Sequence, residues 1–236
     1  MGYTRWAGPA GCDQDSSVHH HVRTIGCIER ALCIAYGDFV IRIIVRPEEI
    51  MAKAEKIMVI RHGEKPQGAI PPYGVTVDGE QDVNSLLVAG WTRAGALAVL
   101  FAPSRGELQS SELAKPQTVF AGSDDAGKSS KRPEETVSIV AQKLKLRTNT
   151  TYEVGQEQEL ATAAMSCDGV VLIGWEHKHI PLIANAILGN TSAPQNWPGA
   201  RFDVVWVFDL DATSDAYRFS QVCELLLPGD SPEPIP

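Results

Sequence analysis

Lys56-Ile57-Met58-Val59-Ile60-Arg61-His62-Gly63-Glu64-Lys65-Pro66 is the stretch on which the fold turns. Residues 57–60 are apolar and partly β-branched, with no polar alternation. That is the pattern of a strand buried on both faces. The run stops at Arg61-His62-Gly63-Glu64, so three ionisable groups sit where a buried strand emerges. Gly63 lets the backbone turn tightly or approach a ligand closely. Open α/β sheets bind ligands at the carboxyl ends of their strands. An Arg beside a His at such an end can hold an anion with its fork of donors while the imidazole attacks it. A surface turn, in which charges follow a strand because strands end in solvent, accounts for the same four residues. The rest of the chain has to decide.

Outward from this strand, residues 66–86 carry Pro66, Gly68, Pro71-Pro72, Gly74 and Gly79 and read as a loop. A long loop directly after a candidate site often covers or shapes it. Residues 87–101 read as a helix, ended by Pro103, and residues 117–121 as a second short strand. After a polar loop, Pro133 opens a helix in its favoured first turn, with Glu134 and Glu135 matching the dipole. Val137, Val140, Ala141 and Leu144 give that helix its apolar face. A weak strand over 146–152 and a helix over 156–165 follow. Val170-Val171-Leu172-Ile173 is the clearest buried strand, and it ends in Trp175-Glu176-His177-Lys178-His179. A helix over 180–188 comes next. A strand over 203–210 then pairs back with 217–227. The alternation predicts a three-layer α/β/α fold with a mainly parallel central sheet and an antiparallel edge.

A chain of 236 residues can build one sizeable α/β core. The formal charge of −8 argues against nucleic acid or an anionic membrane as the main partner, but leaves room for a small anionic substrate in a local basic pocket. No uninterrupted apolar run approaches the ~20 residues that span a bilayer. The cysteines, Cys12, Cys27, Cys33, Cys167 and Cys223, are odd in number and scattered, which points away from a disulfide framework or a zinc site and toward a reduced, cytoplasmic setting. Residues 1–50 differ from the rest, with three of the five cysteines and three of the six histidines. They are expected to be an extension that is either poorly ordered or not part of the working domain, which spans 51–228. Residues 229–236 are expected to be a loose, Pro-rich tail. His19-His20-His21 cannot all face one ion from a regular element, so no metal is assigned there.

Beyond residue 50 the chain has three histidines. His62 follows one buried strand; His177 and His179 follow another. The basic loop ending in Arg132 follows a third strand. Three strand ends can thus bring Arg61, His62, Arg132 and His177 together. Two guanidinium forks and two imidazoles around one point suit a phosphoryl group, whose charge spreads over three oxygens in the transition state.

On these residues the sequence resembles the histidine phosphatase superfamily, the group related to phosphoglycerate mutase. The strand leading to Arg61-His62-Gly63-Glu64 matches that family's Arg-His-Gly motif. Leu87-x-x-Gly90 leading to Ala94-Gly95-Ala96 is similar to its first helix. Arg132-Pro133-Glu134-Glu135-Thr136 resembles its Arg-Ala-x-x-Thr segment. Val171-Leu172-Ile173-Gly174-Trp175-Glu176-His177 stands where the family has a strand ending in Ser-His-Gly. The resemblance implies a phosphomonoester hydrolase acting on a small phosphorylated substrate without cofactor or metal. His62 would attack phosphorus, with Arg61, Arg132 and His177 holding the phosphoryl oxygens and Glu64 joining substrate binding. A carboxylic acid would protonate the leaving oxygen, and Glu153, Glu157 and Glu176 are the candidates. Lys65-Pro66 replaces the Thr and downstream Asn of the mutase branch, which argues against mutase activity. Trp175-Glu176 replaces the Ser before the second His, a change expected to reshape the pocket floor. His179 reads as helix-start packing or a supporting donor.

Two rival readings remain. Gly122-Ser123-Asp124-Asp125-Ala126-Gly127-Lys128-Ser129 matches the phosphate-loop pattern GxxxxGK[ST], and Val204-Val205-Trp206-Val207-Phe208-Asp209 resembles the Mg²⁺-directed strand of an NTPase. Against this, Pro133 falls five residues past Lys128, where it would break the required helix at a cost of ~3 kcal/mol. Asp124 and Asp125 would also put carboxylates into a cradle for phosphates. The other rival is a non-catalytic phospholigand binder that keeps the pocket but lacks a working acid.

Overall fold

The computed structural model describes residues 31–36, 39–44, 53–68, 70–123 and 130–236. The chain divides after Ile50 into two units. In the first, the described residues are strands β1 (Ala31–Tyr36) and β2 (Phe39–Ile44), paired antiparallel from Ala31 opposite Ile44 to Tyr36 opposite Phe39. His19-His20-His21, and most of the segment expected to be poorly ordered, lie outside the described residues.

The second unit is built from β3 (Lys56–Arg61), α1 (Val88–Phe101), β4 (Thr118–Ala121), α2 (Arg132–Leu144), β5 (Thr148–Asn149), α3 (Glu157–Met165), β6 (Val170–Trp175), α4 (Ile180–Leu188), β7 (Val204–Asp211) and β8 (Ala216–Cys223). Its six-stranded sheet has the order β5-β4-β6-β3-β7-β8. β5, β4, β6 and β3 are mutually parallel, while β7 runs antiparallel to both β3 and β8. This is the expected α/β sheet with an antiparallel edge.

The apolar run of β3 explains its central place. Ile57 and Val59 enter one core with Leu160 and Ala164 of α3 and Ile180 and Ile183 of α4. Met58 and Ile60 enter the other, with Leu97 and Phe101 of α1 and Val137 and Val140 of α2. Successive side chains on a strand point to opposite faces, so helices on both sides demand an unbroken apolar run. The four side chains are fully buried. At on the order of 2 kcal/mol apiece, they match as a set the net stability of a whole domain. The same alternation sends Arg61 toward the α3/α4 side and His62 toward the α1/α2 side.

Two expectations are corrected. The weak strand over 146–152 shrinks to the two residues of β5. The chain end, expected to be loose, is tied down. Ile235 is 2% exposed, and its N–H donates to Gln221 Oε1 at 3.0 Å. The Ser231 N–H donates to Asp203 Oδ2 at 2.6 Å. Asp230 joins a buried network in which Arg93 of α1 also meets Glu64 and Glu224, each at 2.7–2.8 Å. Burial opposes the Arg93 charge, but the three carboxylates outweigh it and raise its pKa. Burial also pushes Glu224 up to about 8, against the pull of Arg93. Proline content limits this segment's unfolded freedom; polar anchors, not composition, decide that it docks.

One close approach fixes α1 over the end of β3. Gly63 and Gly90 face each other: a Cβ on Gly63 would lie 3.0 Å from Gly90 Cα, and one on Gly90 would lie 2.7 Å from the Glu64 carbonyl oxygen. Neither space admits a methyl group without moving backbone. Among the described residues, no helix is long and apolar enough to cross a membrane. Gly90→Ala is expected to destabilise the protein by ~1–3 kcal/mol through overpacking. Gly95→Ala, five residues along the same helix with open space around it, should stabilise by ~0.5–1 kcal/mol. Urea unfolding of the two variants against wild type checks both signs.

Candidate active site

The parallel strands β3, β4 and β6 end side by side, and the site forms on the residues that follow them. Ile60 is level with Gly174, and Ala121 with Gly174 on the other side. The His62 N–H extends the ladder to the Trp175 carbonyl at 3.1 Å. The chain then breaks away at Gly63, whose N–H donates to Thr136 Oγ1 at 2.8 Å. Thr136 in turn donates to the Arg132 carbonyl at 2.6 Å. The first turn of α2 thereby clamps the turn after β3.

This turn dictates the state of His62. Its ring is buried, 1% exposed, with Nδ1 2.7 Å from the Gly63 carbonyl oxygen. A carbonyl only accepts, so Nδ1 carries the proton and Nε2 keeps the lone pair. Burial lowers the ring's pKa to about 3; Arg61, Arg132 and Lys65 push the same way, against the Gly63 hydrogen bond. His62 is therefore a neutral imidazole with a free nitrogen. It lines a cavity of about 260 Å³ together with Lys65, Ser123, Arg132, Trp175 and Glu176.

Arg132 stands in this wall, steadied by hydrogen bonds from Nη2 to the Val83 carbonyl at 2.6 Å and from Nε to the Ser85 carbonyl at 3.3 Å. Burial lowers its pKa, against Glu135 and Asp82. Arg61 behaves differently. It is 1% exposed, and its Nη1 donates to the Gly199 and Arg201 carbonyls at 2.8 Å and, at 3.4 Å, to that of Pro198. Its guanidinium stacks 3.7 Å over the Phe202 ring. Burial brings its pKa down to about 10, and Nε is buried without a partner. Part of the fork is thus committed to the segment between α4 and β7.

His177 is buried beside Glu176 and does not line the cavity. Its Nδ1 is 2.7 Å from Glu176 Oε1, without hydrogen-bond alignment. Burial, then Arg61, lowers its pKa despite Glu176. Three sequence assignments change. Glu64, assigned to substrate binding, turns its Oε1 to Arg93 at 2.8 Å and leaves the cavity. Glu157, a candidate acid, is buried as a structural acceptor: it takes hydrogen bonds from the Trp175 indole at 3.2 Å and the Gly155 N–H at 3.0 Å, with His179 Nδ1 at 3.2 Å. Glu153 is exposed and outside the wall, although its neighbour Val154 is part of it. Glu176 is the one carboxylate among the described residues that lines the cavity. Trp175 forms part of the wall, so the departure at Trp175-Glu176 does shape the pocket.

Of the phosphate-loop match, residues 124–129 lie outside the described residues. The helix after it starts at Arg132. Asp209, its proposed metal-directed partner, pairs with Lys56 at the opposite end of β3, about 17 Å from the strand's site end at strand rise. Sequence reasoning missed Lys65, Ser123 and the 198–202 segment as parts of this region, and quoted Thr136 only as part of a motif, without its role as the acceptor for Gly63. Of the missed residues, only Lys65 had a local signal, as a cation directly following the motif.

No family model matches the chain, and no curated protein matches it. Among solved structures it is similar to the open reading frame Rv3214 product of Mycobacterium tuberculosis, at 14% identity over 73% of this chain and 98% of that one, with a TM-score of 0.41. It is also similar to a structure described as mycobacterial hydrolase 2, at 12% identity over 75% of this chain and 93% of that one, TM-score 0.42. A third is the protein histidine phosphatase SixA complexed with tungstate, at 14% identity over 72% of this chain and 97% of that one, TM-score 0.41.

The geometry sets a spectroscopic expectation. Between pH 5 and 8 the ¹⁵N shifts of His62 should be those of a neutral ring protonated at Nδ1. Because the native pKa lies below the ordinary 6.5, the group's contribution to stability is full above about pH 6.5. It is lost as pH falls toward 3, where the unfolded chain takes up a proton that the native state refuses. A ring that titrates near 6.5 would contradict this arrangement.

Proposed function

We propose that this chain is a phosphomonoester hydrolase of the histidine phosphatase type, working through a phosphohistidine on His62. The observation that carries this reading is the neutral His62, its Nδ1–H donated to the Gly63 carbonyl and its Nε2 lone pair available in a cavity walled by cations. A phosphate monoester entering that cavity meets Arg132 as a donor to its oxygens. The Nε2 lone pair attacks phosphorus, and the bond from phosphorus to the ester oxygen breaks. Glu176 gives its proton to the departing oxygen, so the alcohol leaves neutral. Glu176, now a carboxylate, takes a proton from water. The resulting hydroxide attacks phosphorus, and the N–P bond breaks to return His62 and inorganic phosphate. Arg61 adds positive charge near the imidazole, and His177 packs against Glu176. Glu176 takes the acid's role here because Glu157 is engaged by Trp175 and Gly155, and Glu153 lies outside the cavity.

The commitment of Arg61 Nη1 to three carbonyls, and the position of His177 beside Glu176, favour one alternative: a protein that binds phosphate esters without turnover. Hydrolysis of p-nitrophenyl phosphate in EDTA separates the two. Wild type and Lys128→Ala should be active to the same degree, and His62→Ala should lose at least ~1,000-fold in kcat. Absence of hydrolysis in wild type would sink the catalytic reading. Glu176→Gln has its own signature. It should slow an alkyl phosphate, whose leaving oxygen needs the proton, by ~100-fold or more, and p-nitrophenyl phosphate far less. Equal losses on both substrates would remove Glu176 from the acid's role.

A further inference from the structure

The cavity wall holds a second cation that the mechanism above does not use. Lys65 directly follows the motif, and its backbone is constrained because a residue before proline is held extended; Pro66 itself is buried. The side chain lines the same cavity as His62, Arg132 and Glu176. It makes no hydrogen bond or ion pair with any described residue. In the same wall Ser123 Oγ is buried and also without a partner. Burial lowers the pKa of Lys65, and Arg132 and Arg61 push it further in the same direction, with Glu176 opposing. Three cations are therefore held near one another with one facing carboxylate, an arrangement that costs energy until an anion enters. With His62 neutral, the group carries an excess of two positive charges when Glu176 is ionised and of three when Glu176 holds the proton it donates to the leaving oxygen, which matches or exceeds the charge of a phosphate monoester dianion. Arg61 cannot supply all of the expected contact, since its Nη1 is given to carbonyls 198, 199 and 201.

We infer that Lys65 is a phosphoryl-oxygen ligand of this cavity, taking the share of the anion that Arg61 gives up, and that it selects dianionic monoesters over monoanionic diesters. This rests on the phosphatase reading for the identity of the anion, not for its turnover. Lys65 is a compact point charge with three donors, so its ammonium can meet oxygens of the phosphoryl group while the imidazole meets phosphorus.

The test is calorimetric titration of the full chain with inorganic phosphate, at a pH where the dianion dominates. It is paired with steady-state hydrolysis of p-nitrophenyl phosphate and of bis(p-nitrophenyl) phosphate. Lys65→Met should bind phosphate ~10- to 100-fold more weakly, the scale of a hydrogen bond to a charged group. It should raise KM for the monoester more than it lowers kcat, and narrow the monoester-to-diester preference. Lys65→Arg should restore most of the affinity. Lys143→Met removes the same unit of charge at an exposed position in the last turn of α2 and should match wild type. Lys65→Met binding phosphate as wild type does, with unchanged KM, overturns the inference and leaves the hydrolytic reading intact. Lys65-dependent phosphate binding without hydrolysis supports the inference and overturns turnover alone. A wild-type chain that binds no phosphate overturns both.

Discussion

The structure depends on burying a turn that is almost entirely backbone and charge. Where β3 ends, His62 and Gly63 pass beneath α1 so closely that a methyl group on Gly63 or Gly90 would displace backbone. Such a passage is tolerable only if every polar backbone group finds a partner. The His62 N–H reaches the Trp175 carbonyl, the Gly63 N–H reaches Thr136, the Gly63 carbonyl accepts from the imidazole Nδ1–H, and the Glu64 carbonyl accepts from the Leu87 N–H at 2.9 Å. The third of these links structure to chemistry. The hydrogen bond that satisfies a buried carbonyl also chooses the tautomer that leaves Nε2 free.

Charge is sorted into two pools on either side of this turn. On one side Arg93 gathers Glu64, Glu224 and Asp230 and ties the chain end to α1. On the other, Lys65 and Arg132 share the cavity wall with a neutral imidazole and Glu176, and Arg61 acts on the same imidazole from outside that wall. The Phe202 ring touches both pools: it stacks on Arg61 and shares the wall of a second hollow with Glu64 and Asp230. A net charge of −8 therefore says little about the site. Most of the acidic excess is elsewhere, and what a ligand meets is set over a few ångströms, within the screening length of salt.

Much of the site was legible because its residues stand next to strong patterns. Arg61 and His62 directly follow the apolar run of β3, and Arg132 directly precedes the proline of α2. The carboxylates were not legible in this way. Glu64, Glu153, Glu157 and Glu176 look alike in the sequence, each at an element's edge, and only the partner each finds separates them. Arg93 takes Glu64, the Trp175 indole takes Glu157, solvent takes Glu153, and the cavity keeps Glu176. The loose tail failed for a related reason. Proline and glycine mark a segment that is neither helix nor strand, but do not reveal that Arg93, Asp203 and Gln221 are waiting to bind it.

The sequence by itself determined the layered α/β architecture, the central place of β3 and the position of the histidine at its end. Those follow from periodicity, from breakers and from the rule that strands covered on both faces must be apolar throughout. Only the tertiary structure decided which nitrogen of His62 carries the proton, that Arg61 spends Nη1 on carbonyls 198, 199 and 201, and which glutamate faces the cavity. Each of these is a choice among partners far apart in the chain, made by distances of about 3 Å, and no local pattern encodes such distances.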